Sequence, residues 1–288
     1  MADADAKPWA LDRGRVRASF EGAAASYDAA AVLQLEVGQR LLDRLDLMRL
    51  APRTVLDLGC GTGRISARLR TRYPQATLVT ADLAHAMLQA ARGHGAPAGT
   101  LLGADAHRLP LADRSVDLLF SNLMLQWCLD LDTVFAELRR VLRPGGLLLF
   151  TTFGPDTLGE LRASWAEVDD RNHVNAFFDM HDIGDLMVRA RFADPVLDCE
   201  RLTVTYGELH GLLRDLKAIG AHNSTVGRPR GLTGRQALRV LTDAYETFRD
   251  AAGRLPATYE VIYGHAWIPP GDGSDGAVAA ASLRRPPR

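Results

Sequence analysis

Val55-Leu56-Asp57-Leu58-Gly59-Cys60-Gly61-Thr62-Gly63 decides how the rest of the chain reads. The apolar run 54–58 is short enough for a buried strand, and Gly59 breaks it. A glycine-rich turn then opens a helix at Arg64, which Pro74 stops. Glycines allow backbone to approach a ligand and supply dihedrals barred to other residues. The spacing is G-x-G-x-G, and Arg64 stands where a dinucleotide fingerprint places its third small residue. That departure argues against a dinucleotide. Asp57 just before the turn would repel a pyrophosphate, but could hold an ammonium.

Outward from this turn, strands and helices alternate. Strands are predicted at 77–81, 100–103, 116–120 and 147–152. Helices are predicted at 32–50, 64–73, from 82 through Arg92, and at 131–142, the last stopped by Pro144-Gly145-Gly146. This rhythm implies right-handed crossovers and a mainly parallel, doubly wound α/β sheet. After Thr152 it changes. Helices are expected at 156–168 and 182–191, then a long alternating run, 196–205, that suits an antiparallel edge. Two amphipathic helices follow, one carrying Leu209, Leu212, Leu213, Leu216 and Ile219, the other Ala237, Leu238, Leu241, Tyr245 and Phe248. A final strand is expected at 258–267. The organisation is therefore one domain over 13–267, with a helical insertion at about 207–256, a disordered N-terminus (1–12) and a disordered Pro- and Gly-rich tail (268–288).

Three carboxylates punctuate the parallel half. Asp57 precedes the glycine turn. Asp82 ends the second strand, nineteen residues after Gly63, where an acid can accept both hydroxyls of a ribose. Asp105-Ala106 follows the third strand, where a carboxylate can accept from an adenine amino group. Together they describe a site for S-adenosylmethionine (SAM). Gly59, Cys60, Gly61 and Gly63 cradle the methionine end, Asp82 and Leu83 the ribose, and Asp105 and Ala106 the adenine, with Asn122 after the fourth strand beside them. Cys60 is a spacer. Over 54–152 the chain resembles the class I SAM-dependent methyltransferases. That resemblance implies a Rossmann-like, mostly parallel seven-stranded sheet with helices on both faces.

Four further segments narrow it: Ser19-Phe20-Glu21-Gly22-Ala23-Ala24-Ala25-Ser26-Tyr27-Asp28; Leu125-Gln126-Trp127; Thr152 through Leu161; and Ile219-Gly220-Ala221-His222-Asn223-Ser224, with Ala257-Thr258-Tyr259 opening the last strand. They resemble the malonyl-acyl-carrier-protein O-methyltransferases of biotin synthesis, over about 15–267. The resemblance implies methylation of the free carboxylate of a malonyl thioester. Tyr27, in a helix capping the cofactor, and Gln126 and Trp127, after the fourth strand, are the candidates on the acceptor side. The acceptor is ionised at neutral pH, so alignment and exclusion of water suffice. This agrees with the absence of a Ser-His-Asp or paired-carboxylate constellation.

Charge adds one local feature. The whole chain nearly cancels, with 34 basic and 35 acidic residues for a net charge of −1, which leaves no bulk footprint for nucleic acid. Yet between Arg214 and Arg239 six basic residues (Arg214, Lys217, Arg228, Arg230, Arg235, Arg239) face only Asp215, a net of +5. This segment is either a solvated face or a docking surface for an acidic acyl carrier protein, and Arg228 is a candidate for the substrate carboxylate by its forked geometry. No apolar run is long enough to span a membrane. The three scattered cysteines suggest a reducing cytoplasm and no metal site. Carrier protein or coenzyme A as the tether, O-methylation of a free small acid, and an assembly factor without methyl transfer all stay open.

Overall fold

A computed structural model describes residues 11–128, 130–227 and 233–270. The runs rich in Val, Leu and Thr become β1 (Thr54–Leu58), β2 (Thr77–Asp82), β3 (Leu101–Gly103), β4 (Val116–Ser121) and β5 (Leu142–Phe153), which pair parallel in the order β3-β2-β1-β4-β5. β6 (Ala193–Tyr206) and β7 (Leu255–Trp267) complete a seven-stranded sheet. β7 lies between β5 and β6 and runs antiparallel to both. β6 is the edge, and its alternating half-exposed pattern is the one its sequence shows. The order reverses between β1 and β4, and in open α/β sheets ligands bind beyond the carboxyl ends of the strands at such a switch.

Alternate side chains of one strand feed opposite faces. Val55, Leu118, Leu149 and Tyr263 join an apolar cluster under α3 (Val32–Arg44), α4 (Arg64–Arg72), α9 (Leu209–Ala218) and α10 (Arg235–Glu246). Leu56, Leu119, Phe150 and Ile262 join another under α6 (Leu131–Val141) and α8 (Met180–Arg189). Phe135 of α6 is fully buried there, edge-on to Phe150 and Phe192. Asp130 caps α6 by accepting from Thr133 N. The remaining helices are α1 (Arg13–Ala23), α2 (Tyr27–Ala30), α5 (His85–Gly93) and α7 (Gly159–Ala166). Two helices, α9 and α10, stand between β6 and β7, as the sequence predicts.

Several expected boundaries move. The helix expected to Leu50 ends at Arg44 and tightens into one 310 turn. The helix expected from Asp156 starts at Gly159, because Leu158 takes a left-handed conformation (φ 55°) and donates its N–H to Thr258 O instead. Pro144-Gly145-Gly146 is not a free turn. Gly145 N and Gly146 O both bond to Ile268, so the segment bulges from β5. Ile268 is therefore tied down and buried, although the tail was expected to begin there. Leu11 and Asp12, expected to be disordered, are also held: Leu11 bridges Thr225, and Asp12 caps α1 and donates to Ser224 O. The rest of both expected disordered ends, 1–10 and 271–288, lies outside the described residues.

Candidate active site

Gly59, Gly61 and Gly63 all have positive φ (75°, 54° and 79°). The turn is tied to β2, since Gly59 N and Cys60 N both donate to Ala81 O. Two of the glycines have distinct reasons. A Cβ on Gly63 would stand 2.7 Å from Ala91 Cβ and 2.9 Å from Ala91 Cα, so this glycine lets α4 start against α5. A Cβ on Gly61 would project toward Tyr27, 3.8 Å from its ring, so this glycine opens the turn to a cavity.

That cavity has about 800 Å³ of empty space including its mouth. Leu58, Gly59, Gly61, Asp82, Leu83, Asp105, Ala106 and Asn122 all line it, so most of the expected cofactor residues converge on one chamber. Asp82 is held by two backbone donors, Gly61 N at 2.9 Å and Ala84 N at 2.8 Å. Surrounding protein strips solvent from its carboxyl and raises its pKa to about 6, although the backbone N–H groups pull the other way. Asp105 takes His107 N and Nδ1 on one oxygen and the Arg13 guanidinium on the other. The adenine-side carboxylate is thus already paired within the chain. His107 Nε2 accepts from Asp130 N, so the ring is the Nδ1–H tautomer.

A smaller chamber lies on the other side of the turn, lined by Asp57, Gly59, Cys60, Gly61, Asn122 and Asp28. Asp57 is 2 % exposed and accepts from Ser66 Oγ, and burial lifts its pKa to about 7. Burial also holds the Cys60 thiol protonated, which fits an inert spacer. Asn122 is committed at both ends, to Gln34 O and Thr151 Oγ1, and so fixes the wall. Leu123 beside it has φ 50°, a strained conformation at the end of β4.

A third chamber of about 720 Å³ opens beyond Tyr27, Phe20, Leu123 and Trp127, all of which it shares with the first. Tyr27 lines all three chambers. Burial and the nearby Asp82 and Asp28 carboxylates raise its pKa well above the usual phenol range, so its hydroxyl stays protonated. Trp127 packs edge-on against Phe20 at 5.2 Å as a dividing wall. Gln126 is buried and spends its amide on Leu123 O and Thr152 Oγ1, which makes it a brace rather than a free polar group. Among the described residues no Arg or Lys lines this third chamber. Arg228 lies outside the described residues.

The structure adds residues that the sequence reading missed. Arg13, Phe20 and Asp28 come from the N-terminal helices. Gln34 sits between the second and third chambers with Oε1 buried and unpartnered. Tyr259 and Phe153 close the third chamber from β7 and β5. Glu21 accepts from His85 N and Ala86 N and binds the cap to α5. Nothing in the spacing of the first thirty residues marks these roles, since they depend on which elements α1 meets.

The donor set fits SAM. Asp28, Asp57 and Asp82 gather carboxylates around the turn, which suits a sulfonium and an ammonium, while Arg13, Arg17 and Arg64 stand further along the two chambers. Topology and site together define a class I SAM-dependent methyltransferase. A methyltransferase domain model matches residues 56–150. The chain is 55% identical over 268 residues to the malonyl-[acyl-carrier protein] O-methyltransferase of Laribacter hongkongensis, covering 90% of each chain. It is 53% identical over 272 residues to the enzyme of that name from Methylovorus sp., covering 92% of each. Its fold is similar to that of Haemonchus contortus phosphoethanolamine N-methyltransferase 2 (TM-score 0.53, 16% identity, 86% of this chain and 57% of that one). The chain belongs to the malonyl-[acyl-carrier protein] O-methyltransferase family.

Proposed function

We propose that this protein transfers a methyl group from SAM to the free carboxylate of a malonyl group carried on acyl carrier protein, the step that opens pimeloyl-chain synthesis for biotin. The observation that carries this reading is the junction at Tyr27, where the donor chamber that holds Asp82 and Asp105 meets an acceptor chamber walled largely by apolar and aromatic side chains. Relatives that bear this enzyme's name across nine-tenths of the chain support the acceptor.

Bound SAM supplies an electrophilic methyl group. Asp82 would take the ribose hydroxyls, Gly59–Gly63 the methionine end, and Asp105 and Ala106 the adenine. For Asp105 this requires the Arg13 pair to give way. The acceptor carboxylate is ionised at neutral pH, so no residue has to remove a proton. What the chain contributes is alignment and partial exclusion of water: Trp127 and Phe20 separate the chambers, and Phe153, Leu158 and Tyr259 form an apolar wall on the acceptor side, alongside polar groups such as Gln34 and Asn175. Tyr27, held protonated, can donate a hydrogen bond at the junction but cannot act as a base at neutral pH.

The test is methyl transfer from labelled SAM to malonyl-carrier and acetyl-carrier protein in parallel. Labelling of malonyl-carrier and not of acetyl-carrier is expected, because only the first has a free carboxylate. Equal labelling of the two would overturn the reading. Efficient turnover of a free small acid without carrier would move the substrate to that class, and SAM binding without S-adenosylhomocysteine formation would leave an assembly role.

A further inference from the structure

A cleft runs between α1 and α9 with about 1640 Å³ of space open to solvent. Arg15 of α1 and Arg214 and Lys217 of α9 converge on it. No Asp or Glu among the described residues lines it, and none of these three cations has a carboxylate within 4 Å among the described residues. Asp215, the one acid nearby on α9, is turned instead toward Tyr206, whose hydroxyl it helps push up to about 12 after burial. Arg214 and Lys217 are three residues apart and share a helix face, and Arg15 comes from a separate element.

The cleft is built. Leu11 bridges Thr225, Asp12 N donates to Ser224 O, and Ser26 Oγ donates to Ala218 O at 2.8 Å, so its two walls are cross-tied. Gly220 has φ 74°, and a Cβ there would stand 3.0 Å from Ser19 O, which fixes how closely the walls approach. His173 and Asn223 line both this cleft and the acceptor chamber, so the cleft opens onto the place where an acceptor enters. Exposed cations are usually only solvated. Here three of them from two cross-tied elements surround one concavity, which focuses their field on whatever lies in it.

Resting on the substrate reading above, we infer that this cleft binds the phosphodiester of the carrier protein's prosthetic arm, with the protein outside and the thioester threaded into the acceptor chamber. An anion suits the cleft, and a flexible chain beyond it suits the narrow apolar chamber it feeds. The malonyl carboxylate itself passes into a region without lysine or arginine among the described residues. The cations thus hold the tether and not the reacting group.

The experiment uses full-length protein and the variant with Arg15→Gln, Arg214→Gln and Lys217→Gln, with thermal melting as the folding control. Each is titrated with holo carrier protein, which bears the arm, and with apo carrier, which keeps a plain serine. The wild type is expected to bind holo carrier about tenfold or more tighter than apo carrier, and the variant to lose that preference. In turnover, KM for malonyl-carrier should rise about tenfold, with kcat little changed. For malonyl-N-acetylcysteamine, a thioester without phosphate, the ratio of variant to wild-type KM should stay near unity. Equal binding of holo and apo carrier by the wild type would overturn the inference, as would a preference that survives in the variant or an equal KM rise on both thioesters. If no malonyl thioester is methylated at all, the substrate reading falls, while the holo and apo titrations still decide the cleft.

Discussion

The two halves of the sheet do different electrostatic work. The parallel half, β3-β2-β1-β4, ends in fixed carboxylates: Asp57 buried against a hydroxyl donor, Asp82 half-buried against backbone donors, and Asp105 paired with Arg13. The antiparallel half, β5-β7-β6 with α9, joins the N-terminal helices in walling the acceptor chamber, and at its mouth stand cations without a carboxylate partner among the described residues. A cationic donor belongs on the first side, and an anionic tether approaches from the second. The difference teaches that the carboxylates placed for the donor and the cations at the acceptor mouth stand on opposite sides of Tyr27 and Trp127.

The largest effect that sharpens this contrast is in the donor half. Gly63→Ala forces an L-residue to φ 79° and sets its Cβ 2.9 Å from the Ala91 backbone. A left-handed residue costs roughly 1–2 kcal/mol and overpacking a further 1–3, so a loss of about 2–5 kcal/mol of stability is expected in urea unfolding. An unchanged midpoint would show that the turn and α5 can move apart, and that the donor half is not the rigid one.

Asp82→Asn comes next. Gly61 N and Ala84 N both donate to the carboxylate, and an amide offers one oxygen, so its NH₂ must face one of these donors. Together with the lost ribose contact this is worth roughly 1–3 kcal/mol, a weakening of SAM by about fivefold or more in calorimetry. The charge also sets a pH dependence. The folded pKa, about 6, lies above the ordinary 3.8, so without cofactor the ionised carboxylate costs stability, fully above pH 6 and less as pH falls toward 4. Ribose hydroxyls favour the ionised form. SAM affinity should therefore rise with pH through about 6, with Asp57 adding a rise near 7, and Asp82→Asn should remove the lower step. Equal pH profiles for the two proteins would remove Asp82 from the ribose.

These donor-half residues were legible in the sequence for a topological reason. In a parallel sheet each βα turn lies at the same edge, so a motif's place in the chain is its place in the site, as for Gly59–Gly63, Asp82 and Asp105. The edge position of β6 was legible too, from its alternation. The acceptor half does not project this way. Its chamber is assembled by α1 and α2 folding back onto α5 and α9, so Phe20, Gln34 and Arg15 gain their roles only from tertiary contact. Gln126, an acceptor-side candidate by its position after β4, does line that chamber, but that its amide also braces Leu123 and Thr152 could be seen only in the fold.

The smallest expected effect tests how the two halves are joined. Ala84, at the N-cap of α5, has no side chain to cap it, and the N–H groups of Ala84, His85 and Ala86 are taken by Asp82 and by Glu21 from α1. The Ala86 N–H first, then that of His85 with Arg17 nearby, hold the Glu21 carboxyl below its ordinary range. Its stabilising contribution is thus present above about pH 4.5 and lost as pH falls through the lowered value. Glu21→Gln leaves one of the two N–H donors facing an amide NH₂. The cost should be about 0.5–1 kcal/mol, at the low end for a helix cap because the group is partly open to solvent. Melting curves should separate the two proteins at pH 7 and converge in acid, where the wild-type carboxyl is protonated. Glu21 ties the cap to α5 beside the apolar contact of Phe20 and Ala23 with Ala84 and Met87, so SAM should also dissociate faster from the variant in stopped-flow displacement. A stability loss with an unchanged dissociation rate would mean that the apolar contact with α5 and the ties to the α9 side hold α1 over the donor chamber without Glu21.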